Sequence, residues 1–227
     1  KRVLFDNQLR EPQQAEKFQA AARQYGVAVP SMAMSGFFAQ SFLTRDNYQD
    51  LLKDCFQTMK LFGSKVAFLP LGGSGKDWQQ EGCAAYQQLV SRLRTAGEVA
   101  KQEGITIGIR TGRGAKFDKK LLKKVGSSQI KVYYNFQDAA DHHRDICKEL
   151  RKLGAQRIVQ IHASNTDSVN LQEDPEINLP KIRKTLDKMK WSGWLVVERS
   201  RDVKRVRDVK YNFGRNIAYL KQVFQEW

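Results

Sequence analysis

The sequence has 227 residues, of which 41% are apolar, a share that supplies a substantial core and argues against a disordered chain. It lacks a run of about 18 apolar residues, so no membrane span is predicted, and its three scattered cysteines support neither a disulfide framework nor a cysteine-rich zinc site. The net charge of +15 fits an anionic partner or a solvated basic surface, and the spread of Lys and Arg along the predicted helices favours the second.

Six short apolar segments are predicted as strands, and most are continuous apolar runs, which is typical of strands covered on both faces. In chain order they are residues 27–34, 65–71, 105–110, 130–135, 157–162 and 194–198. Seven helices with an apolar repeat of 3.6 residues alternate with them. The first helix has its stripe at Ala15, Phe18, Ala22 and Tyr25, and the last at Phe213, Ile217, Leu220 and Phe224.

Strands that alternate with helices predict parallel β/α units in the α/β class. No linker or low-complexity block interrupts residues 1–227, so we expect a single domain. A (β/α)8 barrel would need two more strands and one more helix at the N-terminus, whereas an open, doubly wound sheet could stop at six strands. Because the sequence begins at Lys1 rather than Met, we expect a processed or truncated chain.

Polar residues at the strand ends favour the barrel. Arg110, Asn135, His162 and Glu198 are each the first polar residue after an apolar strand. In a β/α barrel the carboxyl ends of the strands converge on one mouth, where the active site lies. We therefore expect these four side chains to form one site.

The segments that carry these residues resemble the xylose isomerase-like TIM barrels of the sugar phosphate isomerase/epimerase superfamily, in particular the ketose 3-epimerase branch. The likeness spans essentially the whole chain and is strongest in GITIGIRTG, VGSSQIKVYYNFQDAAD, RDICKELRKLGAQRIVQIH and LDKMKWSGWLVVERSRD. The resemblance implies a TIM barrel whose strands end in Glu, Asp, His and Glu. In that family these residues hold one divalent metal, Mn, Mg or Zn, and the two Glu residues act as acid and base.

Two of the four positions match the family. His162 stands at the metal-binding His and Glu198 at the last Glu, but Arg110 replaces the first Glu and Asn135 replaces the Asp. The Lys-Asp that commonly follows the His is replaced as well, by Ser164-Asn165.

The resemblance thus implies Glu198 as the catalytic residue and His162, Glu198 and Asn135 as a weak metal-ligand set. Two unit charges about 4 Å apart interact by about 4 kcal/mol at an effective dielectric of about 20, so a cation such as Arg110 would oppose a divalent ion. We expect Arg110, Asn135 and His162 to bind substrate. We expect the same of Arg199 and Arg201, because barrel loops after the last strands often bind phosphate.

The function predicted from these features is isomerisation or epimerisation of a sugar or sugar phosphate by proton transfer next to a carbonyl, with a degraded metal site. A non-catalytic sugar-binding relative is the main alternative. A second rival is a DNA-binding protein like the abasic-site endonucleases, which suits the charge of +15, but three His residues are too few for a multi-zinc cluster. The expected partner is a small sugar rather than a membrane or nucleic acid. The sequence does not predict the oligomeric state. The cytoplasm is the default expectation for the compartment, and an exported form is the alternative.

Overall fold

The computed structural model describes residues 4–71, 77–164 and 167–225. All six predicted strands form, most of them shorter than predicted: β1 Ser31–Ala33, β2 Val66–Pro70, β3 Thr106–Arg110, β4 Ile130–Asn135, β5 Ile158–His162 and β6 Trp194–Val196. The helices are α1 Pro12–Tyr25, α2 Gly36–Ala39, α3 Tyr48–Phe62, α4 Ala84–Gln102, α5 Ala115–Val125, α6 Phe136–Ala140, α7 Ile146–Leu153, α8 Leu179–Lys188 and α9 Val209–Phe224. The short helices α2 and α6 were not predicted, because four or five residues are too few to show a helical repeat.

The chain divides into two compact units. The first comprises Lys1–Thr111 with Leu121–Lys131, and the second comprises Gly112–Lys120 with Val132–Trp227. Within the described residues of either unit, no helix has the length and apolar character needed to cross a membrane.

In the first unit, β1, β2 and β3 pair in parallel and in chain order, with Ser31 opposite Val66 and Val66 opposite Thr106. The amide of Ile107 continues the ladder by donating to the carbonyl of Gln129, just before β4. Strands β2 and β3 are buried along most of their length, with the side chains of Ala67, Leu69, Ile107 and Ile109 fully covered, whereas β1 is partly exposed. This burial on both faces is what the continuous apolar runs predicted.

In the second unit, β4, β5 and β6 also pair in parallel and in chain order. The register places Asn135 opposite His162 and His162 opposite Val196. An irregularity between Val132 and Tyr133 shifts the β4–β5 register by one residue. The carboxyl ends of neighbouring strands are therefore side by side, which is the arrangement that a strand-end site requires.

Two of the predicted helix stripes differ from the buried faces. On α1 only Ala15 is buried, while Phe18 is 55% and Tyr25 is 72% exposed. On α9 the predicted Ile217 is 45% exposed. The buried face of α9 consists of Asn212, Asn216, Leu220 and Val223. The two asparagines turn inward because their amides bond to backbone of neighbouring loops, a preference that apolar periodicity does not register.

Glycine readily adopts the left-handed conformation that ends a helix, so the glycines that follow the helical repeats predict where the helices end: Gly26, Gly63, Gly104, Gly126, Gly154 and Gly193. The structure agrees for most helices but not for α8. Gly26 and Gly63 end α1 and α3 in the left-handed conformation, with φ of 61° and 66°. After α8 the left-handed position falls on Lys190, whose φ is 55°, rather than on the predicted Gly193. A residue with a side chain occupies this position at a conformational cost that glycine avoids.

Candidate functional site

Three of the predicted site residues meet in the second unit. Asn135 ends β4, His162 ends β5, and Glu198 lies two residues beyond β6. The Nδ2 atom of Asn135 is 3.2 Å from Nδ1 of His162, and Oε2 of Glu198 is 3.6 Å from the same nitrogen. We call these three residues the strand-end cluster. Asn135 and His162 are buried, whereas the Glu198 side chain is 54% exposed, so a small molecule can reach its carboxylate.

The orientation of the Asn135 amide is fixed by the start of α6. The backbone N–H of Gln137 donates to Oδ1 of Asn135 at 2.8 Å, which makes Asn135 the N-cap of this helix. An N–H group can bond only to the carbonyl oxygen of the amide, so the NH₂ group must face the other way. It is this NH₂ group that meets His162.

Two further contacts hold the cluster in place. The ring of Tyr133, two residues before Asn135 on β4, packs edge-on against the His162 ring, with 4.5 Å between centroids. The backbone N–H of Glu198 donates to Oγ of Ser164 at 3.4 Å. Both Tyr133 and Ser164 are buried, so the imidazole and the backbone of Glu198 are held on buried groups while the carboxylate stays exposed.

The segment after Glu198 is anchored by three buried asparagines, Asn170, Asn212 and Asn216, which we call the asparagine clamp. The carbonyl of Ser200 accepts hydrogen bonds from Nδ2 of Asn170 at 3.1 Å and from Nδ2 of Asn216 at 2.7 Å. Ser200 is fully buried and left-handed, with φ of 70°. The clamp thus holds a backbone conformation that a serine rarely adopts, two residues after Glu198.

The two arginines predicted to bind phosphate have different surroundings. Arg201 forms a two-pronged ion pair with Asp167, with Nε–Oδ1 and Nη2–Oδ2 distances of 2.9 and 2.5 Å. This hydrogen-bonded pairing lowers the pKa of the Asp167 carboxyl and raises the pKa of Arg201. Arg199 is exposed. Since Asp167 offsets the charge of Arg201, Arg199 is the better candidate of the two for an external anion.

Arg110 lies in the first unit, where it is partly buried and ends β3 opposite Pro70. Its predicted role in substrate binding stays a prediction. Of the replaced Lys-Asp pair, Ser164 is the buried acceptor already described, and Asn165 lies outside the described residues.

The donor set of the cluster does not fit a divalent metal. A hard or borderline ion needs carboxylate oxygens or imidazole nitrogens that offer lone pairs. Asn135 offers an NH₂ group on the side of His162, and its oxygen accepts from Gln137. Over the described parts of the chain, no group of three or more His, Cys, Asp or Glu side chains is arranged to hold an ion.

Two cavities, one in each unit, lie away from the strand-end cluster. One of about 570 Å³ in the second unit is lined by β6, α8 and α9, with Trp191, Trp194 and Ile217 in its wall. One of about 350 Å³ in the first unit lies between residues 5–9, β1 and α3. None of the predicted site residues lines either cavity.

Sequence reasoning found the strand-end residues but missed the groups that support them. The period of two along β4 places Tyr133 on the face of Asn135, and this signal could have identified it. Asp167 and the asparagine clamp gave no local signal, because they lie in loops or on a helix face with no apolar pattern.

The sequence matches the family model described as xylose isomerase-like TIM barrel over residues 4–223. No curated protein matches it at a significant level. Among solved structures, 3-keto-D-glucoside 4-epimerase from E. coli is 12% identical, with a TM-score of 0.73 over 92% of this chain and 85% of the epimerase. D-psicose 3-epimerase from Clostridium cellulolyticum H10 is 15% identical, with a TM-score of 0.73 over 92% and 82% of the two chains.

An AP endonuclease of family 2 from Brucella melitensis is also similar, at 13% identity and a TM-score of 0.69 over 87% of this chain and 83% of the endonuclease. Identities this low establish the fold alone. The family match confirms the predicted barrel class.

Proposed function

Because this chain belongs to the xylose isomerase-like TIM-barrel family, we propose that it acts on a sugar or sugar phosphate by moving a proton next to a carbonyl group. The observation that carries the proposal is the exposed carboxylate of Glu198, placed 3.6 Å from the buried imidazole of His162 at the ends of neighbouring strands. A carboxylate that a small molecule can reach, beside a positioned imidazole, is a suitable acid–base group.

In the proposed reaction Glu198 removes the proton from the carbon next to the carbonyl, and an enediol forms. The exposed Glu198 carboxyl exchanges its proton with solvent and delivers a proton to the neighbouring carbon, while a second proton passes between the two oxygens. The sum is an aldose–ketose isomerisation in which no atom is gained or lost. Epimerisation requires a proton to be returned to the opposite face, and this needs a second acid. The strand-end cluster contains one carboxylate, so it favours isomerisation over epimerisation.

The remaining groups of the second unit suit the binding of a sugar. His162 and Asn135 carry buried N–H groups of the kind that orient hydroxyl or carbonyl oxygens. Arg199 is exposed on the segment after β6, and we propose that it contacts the phosphate of a phosphorylated sugar. A guanidinium pairs well with phosphate because it presents several N–H donors in one plane.

A protein that binds sugar without reacting with it is the second candidate. It is favoured by the replacement of a carboxylate by Asn135, which leaves Glu198 without an acidic partner across the cluster. The abasic-site endonuclease reading has less support, because the described residues lack the clustered His, Asp and Glu side chains that a multi-metal site needs.

Solvent exchange measured by proton NMR separates these candidates. The chain is incubated in D₂O with D-fructose, D-tagatose, D-psicose, L-ribulose and their phosphate esters. An enzyme of the proposed kind exchanges the hydrogen next to the carbonyl for deuterium. A general acid–base group typically increases the rate of a reaction 10²–10⁴-fold, so Glu198→Gln is expected to reduce the rate of exchange at least about a hundredfold.

The matched control is Glu176→Gln, which removes an exposed carboxylate from the same unit. It is expected to exchange deuterium at the rate of the unaltered chain. Exchange that persists in Glu198→Gln would contradict the role of Glu198. Binding of a sugar in calorimetry without any exchange would instead support the non-catalytic candidate.

A further inference from the structure

We infer that Asn135 holds His162 in the neutral tautomer with its proton on Nε2, and that it thereby disfavours a metal ion at the strand-end cluster. This inference goes beyond the proposed reaction, because it concerns the protonation pattern of one side chain in the chain without substrate. It holds whether the protein converts a sugar or only binds one.

The first step is the direction of the amide. Oδ1 of Asn135 accepts a hydrogen bond from the backbone N–H of Gln137 at 2.8 Å. A backbone N–H can only donate, so the atom of the Asn135 amide that faces it must be the oxygen. The NH₂ group is therefore the part of Asn135 that lies 3.2 Å from Nδ1 of His162. The orientation of the amide is thus assigned from its bond to a backbone donor, since the oxygen and nitrogen of an amide have nearly the same shape.

The second step is the tautomer. An NH₂ group only donates, so Nδ1 of His162 must accept with its lone pair, and the single proton of the neutral ring must then lie on Nε2. The carboxylate of Glu198 is 3.6 Å from Nδ1, which is too far to count as a hydrogen bond that would draw the proton to Nδ1.

The third step is the consequence for a metal. An imidazole binds a metal through the nitrogen that carries no proton. Binding through Nε2 would move the ring proton to Nδ1, where it would point at the NH₂ group of Asn135. Binding through Nδ1 would displace that NH₂ group. An Asp at position 135 would reverse this preference, because its second oxygen would accept from Nδ1–H and leave Nε2 free to bind a metal.

The chain provides its own reference for the measurement. It contains three His residues, and Nδ1 of His142 lies 2.9 Å from the backbone carbonyl of Asp138. A carbonyl oxygen only accepts, so neutral His142 must carry its proton on Nδ1. His142 and His162 are thus expected to be opposite tautomers within one spectrum.

The test is two-bond ¹⁵N–¹H correlation NMR of the ¹⁵N-histidine-labelled chain at a pH where the rings are neutral. His142→Gln and His143→Gln variants assign the signals. We expect Nε2–H for His162 and Nδ1–H for His142 in the unaltered chain, and Nδ1–H for His162 in Asn135→Asp. A proton on Nδ1 of His162 in the unaltered chain would overturn the inference, and this result does not depend on whether Asn135→Asp folds.

Calorimetric titration with Zn²⁺ and Mn²⁺ tests the consequence, in the His142→Gln/His143→Gln background so that His162 is the remaining imidazole. Carboxylates that orient a metal-binding His typically change metal affinity 10–100-fold, so Asn135→Asp is expected to bind roughly 10–100 times more tightly than the parent. The matched control is Asn178→Asp, which makes the same change at the N-cap of α8 on an exposed residue. Equal affinity in Asn135→Asp and its parent would contradict the metal part of the inference.

Discussion

Removal of the Asn216 side chain is expected to destabilise the second unit far more than a change on a helix surface usually does. In Asn216→Ala two buried hydrogen bonds are lost. One is the 2.7 Å bond from Nδ2 to the carbonyl of Ser200, and the other is the 2.8 Å bond from the Leu171 amide to Oδ1. Asn216 is 1% exposed, so bulk water does not reach the two backbone groups that lose their hydrogen-bond partner.

The two losses differ in size. The Ser200 carbonyl keeps its bond from Asn170, so the first loss costs only the net value of a hydrogen bond, about 1 kcal/mol. The Leu171 amide is left buried without its partner, which costs about 2 kcal/mol. Alanine is the better helix former by roughly 0.6 kcal/mol. The expected loss in the free energy of unfolding is therefore about 2–3 kcal/mol.

The assay is urea unfolding followed by circular dichroism, with Asn178→Ala as the matched control. Asn178 caps α8 from an exposed position, and its loss is expected to cost about 1 kcal/mol. Asn216→Asp keeps the acceptor for Leu171 but turns a carboxylate toward the Ser200 carbonyl, so it is expected to destabilise as well. A loss in Asn216→Ala no larger than that in Asn178→Ala would refute the clamp.

Three further outcomes are expected. Lys190→Gly should raise the free energy of unfolding by about 1 kcal/mol, because Lys190 is exposed and holds a left-handed φ of 55°; a lower urea midpoint would contradict this. Asp167→Asn should destabilise the chain at neutral pH but not in acid, because Arg201 lowers the pKa of the folded Asp167 carboxyl. The stability that this carboxyl contributes is present above its unfolded pKa, near 4, and is lost as the pH falls through the lower folded pKa. An equal loss of stability at both pH values would show that the ion pair is not the cause. Iodoacetamide at pH 8 should modify Cys55 more slowly than Cys83, because burial raises the pKa of the Cys55 thiol to about 12; mass spectrometry of the labelled peptides decides this.

The strands could be predicted from the sequence because their signal is local. In the run from Ile105 to Arg110 only Thr106 is polar before the last residue, and β3 ends at that last residue. The predicted strand 194–198 extends two residues too far, since Val197 continues the apolar run although β6 stops at Val196. Strand ends depend on where the neighbouring strand stops pairing, and this is not written in the segment itself.

The positions of some of the strand-end residues could be predicted for a related reason. That His162 and Glu198 lie together follows from the rule that parallel strands end at the same edge. The role of Asn135 does not follow from that rule, because it depends on the position of the Gln137 amide in a helix of five residues. Asn212 and Asn216 on the inward face of α9 were missed because they bond to backbone groups outside the helix, and such partners leave no apolar period in the helix sequence.

The two polar networks of the second unit explain how an exposed carboxylate can keep a defined position. His162 is held by Asn135 and Tyr133, and the backbone next to Glu198 is held by Ser164 before it and by the clamped Ser200 after it. Each of these supports is buried, so its hydrogen bonds are not exchanged with water and are costly to break. The Glu198 carboxylate can therefore remain solvated, as the proposed proton transfer requires, while its backbone is held in place. The buried polar residues that apolar patterns overlook are the ones that place the carboxylate.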